Sequence, residues 1–137
     1  MALIATCCLA VWVVSGQQDA TVLDEQIKPF SFEDILYPLA ARLTHVQGVV
    51  VVRVTLSADG PVVSSQAISG AKSLIADCIA NSKKWRFQPS SGKTAIIVYD
   101  FKIIEGLCNP PCASHCTFRP PNMVTIVIGE PVVDHSG

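Results

Sequence analysis

The chain has 137 residues, enough for one domain with a modest core and too few for two. Ten Lys and Arg set against eleven Asp and Glu leave a formal net charge of −1. That balance excludes the positive field nucleic acid requires and any acidic tail.

Half of the residues are hydrophobic, and part of that excess lies in residues 1–14, which are apolar except for Thr6. A helix of that length reaches about 21 Å, short of the roughly 30 Å of a bilayer core. An N-terminal apolar stretch of this kind, ending in Ser15-Gly16, reads as a secretory signal peptide over residues 1–16. No Lys or Arg precedes it, which keeps an uncleaved short anchor as the alternative, with a buried core helix last. Cys7 and Cys8 lie too near the start, after a poorly matching Ile-Ala-Thr, to make a lipoprotein site. Removal near Gly16 leaves the charge unchanged and retains Cys78, Cys108, Cys112 and Cys116, which an exported setting allows to oxidise.

Residues 17–28 are polar and form a brief linker. Over residues 30–44, Ser31 is placed to cap a helix with Asp34 in its first turn, and Pro38 splits off a short helix over residues 37–43. Residues 49–56 alternate, with Val50, Val52, Val54 and Leu56 on one face and Arg53 and Thr55 on the other. Ala58-Asp59-Gly60-Pro61 turns this strand into a weaker one over residues 62–68, ended by Ser69-Gly70. Residues 72–85 switch to helical spacing, with Leu74, Ile75, Cys78, Ile79, Ser82 and Trp85 on one stripe. Pro89 and Gly92 close that helix and its exit loop. Residues 95–103 alternate again, with Ala95, Ile97, Tyr99, Phe101 and Ile103 on one face. Residues 106–122, rich in Cys and Pro, read as a loop, and residues 123–128 as one more strand before a frayed end. The fold class expected is α+β: a small antiparallel sheet of three strands plus a fourth C-terminal strand, with two helices packed on one face.

Tyr37-Pro38 at the start, Gly48 before a valine-rich strand, Asp59-Gly60 at the hairpin turn, and Trp85-Arg86-Phe87-Gln88-Pro89 after the helix form an ordered set. In that order and spacing, over about residues 37–104, the chain resembles the TonB C-terminal domain family. The same residues also have a plain structural reading, in which Trp85 and Phe87 are core anchors at a helix exit and Arg86 is a solvated or locally paired charge. The resemblance implies a domain over residues 29–105 followed by a Cys/Pro-rich extension over residues 106–137. It implies an energy-transducer-like role in transmembrane transport, in the periplasm of a Gram-negative-like cell envelope. Family members grip a short segment of an outer-membrane receptor or another envelope protein, and that segment adds to the last strand of the domain. Here the implied edge positions are Thr94, Ile96, Val98, Asp100 and Lys102, and the physics is β-augmentation, in which main-chain hydrogen bonds supply affinity. The chain departs from the full-length pattern in lacking a long transmembrane anchor and a proline-rich spacer, so pulling on a receptor by itself is not expected.

No catalytic constellation is evident, and neither enzyme activity nor a cofactor is expected. His45, His115 and His135 are scattered, and no phosphate loop or dinucleotide fingerprint is present. The chemically loaded segment is Cys108-Asn-Pro-Pro-Cys112-Ala-Ser-His115-Cys116. Its two three-residue gaps differ from the two-residue knuckles of zinc sites, so disulfide bonding is expected ahead of metal or free thiols. Cys78, on the apolar stripe, is either a partner in a disulfide or a buried free thiol. The alternative function is a disulfide- or metal-bearing redox or envelope-assembly protein on the same scaffold. The 123–128 strand is expected to pair with the 94–104 strand at the sheet edge. That placement would block the edge until the tail detaches, or move binding to another surface.

Overall fold

The computed structural model of the protein describes residues 28–89, 93–106, 108–110 and 112–131. The signal-peptide reading, nearly all of the 17–28 linker, His135 and the frayed end lie outside the described residues. The elements, in chain order, are β1 (Pro29–Ser31), α1 (Leu39–Leu43), β2 (Gly48–Leu56), β3 (Val62–Ser69), α2 (Lys72–Ser82), β4 (Arg86–Phe87), β5 (Thr94–Glu105), β6 (Ser114–Arg119) and β7 (Met123–Glu130). The larger sheet has five strands in the order β3-β2-β5-β7-β6, and β1 pairs separately with β4. Among the described residues, no helix is long and apolar enough to cross a membrane.

One face of the larger sheet carries the core. Val50, Val52 and Val54 of β2 are fully buried and pair with Tyr99, Ile97 and Ala95 of β5. The apolar row continues outward, since Tyr99 and Phe101 lie beside Val124 and Ile126 of β7, which in turn lie beside Phe118 and Cys116 of β6. Helix α2 covers the β2–β3 end of this face with Leu74 and Cys78 buried, and Ser82 meets Ser65 of β3 through a 2.8 Å hydroxyl bond. Tyr37 and Ala41 extend the cover from the α1 side. The period-two and helical patterns therefore describe real faces, and the α+β class holds.

Four expectations need correction. The helix expected over residues 30–44 shrinks to α1, and Ser31 caps nothing, because it pairs with Arg86 in the β1–β4 ladder. Pro38 biases Tyr37 away from the α region, and long-range contacts take the segment instead. The Asn81 side chain donates to the carbonyls of Glu33 and Asp34, and Phe32 stacks on Phe118. Second, α2 stops at Ser82, three residues short of Trp85, after which Lys83 and Lys84 turn the chain so that the indole enters the core.

Third, residues 106–122 are not all loop, because β6 lies within them. Fourth, β7 does pair with β5 as expected, but in parallel and in the sheet interior. The chain leaves β5, passes over one vacant strand position, runs back as β6, and turns to fill the gap. That turn is tied to β5 by Asn122, whose carbonyl accepts from Val98 N–H at 3.0 Å and whose amide donates to Ile96 at 2.9 Å.

Candidate functional site

Two places in the structure gather part of the ordered set that carries the resemblance. At the hairpin turn, Gly60 has φ +109°, and a Cβ built there would lie 2.0 Å from the Phe87 carbonyl oxygen. Only glycine fits, and it fits so that Phe87 N–H can donate to the Gly60 carbonyl at 3.0 Å. The Asp59-Gly60 turn and the Trp85-Arg86-Phe87 run are thus one packed unit, with Arg86 and Pro89 exposed and Phe87 buried. Gly48 leads β2 with φ +132°, open to solvent.

The second place centres on Trp85. Its ring lies 5.5 Å from Phe32, 6.1 Å from Phe87, 6.3 Å from Tyr99 and 6.2 Å from Phe118, centroid to centroid. Trp85 Nε1 and the Tyr99 hydroxyl both donate to Asn81 Oδ1 at 2.9 Å. Burial raises the Tyr99 hydroxyl pKa strongly, so it remains a donor. Asn81 is the residue sequence reasoning missed. Its only signal was its position four before Trp85, one helical turn away, beside an apolar stripe. Tyr37 and Pro38, the first motif pair, are buried. The Tyr37 hydroxyl donates to Val46, and its pKa is pushed up to about 12 by burial and then by the Glu130 carboxylate. Glu130 itself pairs with His45 Nδ1 at 3.2 Å.

Thr94, Ile96, Val98, Asp100 and Lys102 share the sheet face opposite the core, but they do not form an edge. Strand β5 has β2 on one side and β7 on the other. The C-terminal strand fills the slot beside β5, the blocked arrangement expected from the sequence, although β7 is not itself the sheet edge. Lys102 pairs with Asp100 at 3.1 Å on this face. The sheet ends instead at β3 and β6.

The four candidate cysteines do not converge. Cys108 and Cys112 are bridged, with Cα atoms 5.6 Å apart, in the connection between β5 and β6. Cys78 is a free thiol on the buried face of α2, its pKa pushed up to about 12 by burial and then by Asp77. Cys116 is a half-buried free thiol on β6, also shifted upward by burial, with a backbone hydrogen bond from Ile35 opposing that shift. Among the described residues, no group of three or more His, Cys, Asp or Glu side chains could hold a metal ion.

A helix-covered sheet whose glycine turn locks onto a Trp-Arg-Phe run is the arrangement the ordered motif residues build. The family description that matches it is the Gram-negative bacterial TonB protein C-terminal, over residues 33–103, which is more than half of the chain. The protein belongs to the TonB C-terminal domain family. A solved structure of the TonB C-terminal domain from Pseudomonas aeruginosa is similar, with 29% identity over 58% of this chain and 88% of that one, at a TM-score of 0.46. No curated protein matches. The family is one of non-enzymatic protein-interaction modules of envelope transport, and its members work in the envelope with protein partners.

Proposed function

We propose that the protein is a periplasmic, TonB-like binding module of envelope transport that takes up short extended segments of its partners by strand addition. The partners are outer-membrane receptor segments or other envelope proteins. The observation that carries the reading is a sheet, built on the family portion and widened by the C-terminal hairpin, that presents two unpaired edges, at β3 and β6, among the described residues. An unpaired strand offers a row of main-chain donors and acceptors that an extended peptide satisfies without any special side chain. Export through residues 1–16 belongs to this reading, with Ser15-Gly16 at the cleavage point. The positions Thr94, Ile96, Val98, Asp100 and Lys102 take a partner strand only in a state from which the β6–β7 hairpin has moved away.

The test is a titration of the full chain with peptides from the periplasm-facing segments of outer-membrane receptors in the same cell, followed by amide hydrogen exchange. The expected result is saturable binding that slows exchange along one strand. Binding that protects no strand, or no binding by any receptor peptide, overturns the reading. Mass spectrometry of the exported chain checks the cleavage; a chain that retains residues 1–16 in the membrane contradicts it.

A further inference from the structure

Strand addition must choose an edge, and three observations separate the candidates. Reaching β5 requires removing β7, which buries Val124, Ile126 and Ile128 almost completely. Strand β3 is exposed, yet its ladder with β2 shifts register twice, between Val51 and Val52 and between Thr55 and Leu56. Such irregularities twist an edge and spoil its match to an incoming strand. Strand β6 is different: all six of its residues pair with β7 in continuous register. In an antiparallel pair, alternate residues of an outer strand direct N–H and C=O away from the neighbour. No loop or turn main-chain hydrogen bond among the described residues reaches β6.

The surroundings of β6 also specify chemistry. Its inner side chains are covered by residues 32–37: Phe32 stacks on Phe118 at 5.0 Å, and Tyr37 N–H donates to Ser114 Oγ at 3.4 Å. Leu36, in that covering segment, is 76% exposed. On the opposite face, β6 presents His115, Thr117 and Arg119, all exposed, with no acidic residue of β6 among them. The next strand inward offers Met123, Thr125 and Val127 on that face, and Asp100 beyond it is already paired with Lys102. At the Arg119 end, Phe118, Pro120, Pro121, Pro29 and Lys28 line a pocket of about 310 Å³, large enough for one aliphatic side chain.

We infer that β6, two strands outward from β5, is the docking edge, and that it takes an extended partner segment in which acidic residues alternate with aliphatic ones. The acidic positions lie beside Arg119 and His115. The aliphatic positions lie on the Phe32–Leu36 side, with the one nearest the turn seated in the proline-lined pocket. This rests on the strand-addition reading and narrows it to one edge and one class of segment.

The probe is a capped synthetic peptide in which Glu alternates with Val or Leu, added to the full chain. Expected are slowed amide exchange over residues 114–119, unchanged exchange over 123–130, and nuclear Overhauser contacts between a peptide methyl group and the Phe118 ring. Arg119→Glu should weaken binding by up to about fivefold, the scale of one exposed ion pair, and the same peptide with Lys in place of Glu should recover it. Protection along β3 overturns the inference while leaving strand addition intact. So does faster exchange over residues 123–130, which signals hairpin displacement from β5. Contacts from Phe118 to the protein's own residues 17–27, in place of the peptide, also overturn it. Protection of no strand overturns both readings.

Discussion

Residues 29–105 and residues 106–131 build one sheet by different rules. In the first stretch, β2 and β5 bury alternate residues and leave the rest on an open face: Val50, Val52 and Val54 are fully buried, while Arg53 and Thr55 are exposed. In the second, β7 buries Val124, Thr125, Ile126, Ile128 and Gly129, so that both of its faces are largely closed. The difference is position in the sheet. Strand β7 has neighbours on both sides, whereas the family portion ends at β5, which would be an open edge without β7. An addition to a fold that lands on its exposed edge becomes core, and the new edge moves outward with it.

The comparison breaks most visibly on deletion of residues 106–137. Were the tail a detachable plug, its removal should free β5 and strengthen peptide binding. Its burial argues otherwise. Val124, Ile126 and Ile128 contribute about 1.5–3 kcal/mol each, or roughly 5–9 kcal/mol together, against the 5–15 kcal/mol that holds a typical domain. The expected outcome is a chain without a cooperative thermal transition. A truncated chain that unfolds cooperatively and binds peptide more tightly would show that the two stretches are separable after all.

The next largest effect lies where the stretches meet. Asn81 accepts from Trp85 and Tyr99 and donates to the chain at Glu33 and Asp34, within the segment whose Phe32 and Tyr37 contact β6. Asn81→Leu strands two buried donors, at about 1–3 kcal/mol each. Thermal denaturation should show the loss. Phe32–Phe118 contacts, followed by ring chemical shifts, should loosen with it, because the 33–34 backbone loses its anchor. A variant as stable as the parent would mean that water replaces the amide at no cost.

Gly60→Ala probes the family portion alone. The positive φ and the 2.0 Å approach to the Phe87 carbonyl demand a backbone shift, at about 1–3 kcal/mol or more. The shift should raise exchange at Phe87 N–H while leaving β6 and β7 amides unchanged. Equal loosening of the C-terminal hairpin would count against treating the turn as a local unit.

Legibility in the sequence followed the same division. The β2 and β5 alternation was plain because one face of each meets core and the other solvent. Strand β7 was visible from Met123 to Ile128 as an apolar run broken only by Thr125, and its pairing with β5 was foreseeable. Its direction was not, since that depends on β6, whose inward residues are Ser114, Cys116 and Phe118. Only one of those three is large, and prolines at positions 110, 111, 120 and 121 frame the strand like a loop. Strands β1 and β4, of three and two residues, are too short to show a period. The Ser31-x-x-Asp34 cap signal was real as local chemistry and lost to tertiary contacts made by Asn81 and Phe32. For the site, the motif residues were legible as a set and so was the covering of β5, but β6 as the outermost strand was not, because which strand is outermost is a property of the whole sheet.

The smallest effect expected is that of the disulfide, and its size decides how the C-terminal stretch is held. The Cys108–Cys112 bridge closes a loop over a sequence separation of 4. Loop-closure entropy for so short a ring gives about 2 kcal/mol at most, well below the burial that β7 contributes. The Cys108→Ser, Cys112→Ser double variant should therefore stay folded, with a melting temperature lowered by at most about 10 °C and β7 amides still protected. Thiol counting gives the matching check. Burial raises the pKa of both Cys78 and Cys116. The thiolate fraction of each at mildly alkaline pH is therefore below that of an exposed cysteine, and alkylation of the native protein should be slow at both. On denaturation without reductant, Cys78 and Cys116 should react fully and Cys108 and Cys112 should not. Rapid native alkylation of Cys116 would mean that β6 separates from residues 32–37 in solution, and that the hairpin opens more readily than its buried residues allow.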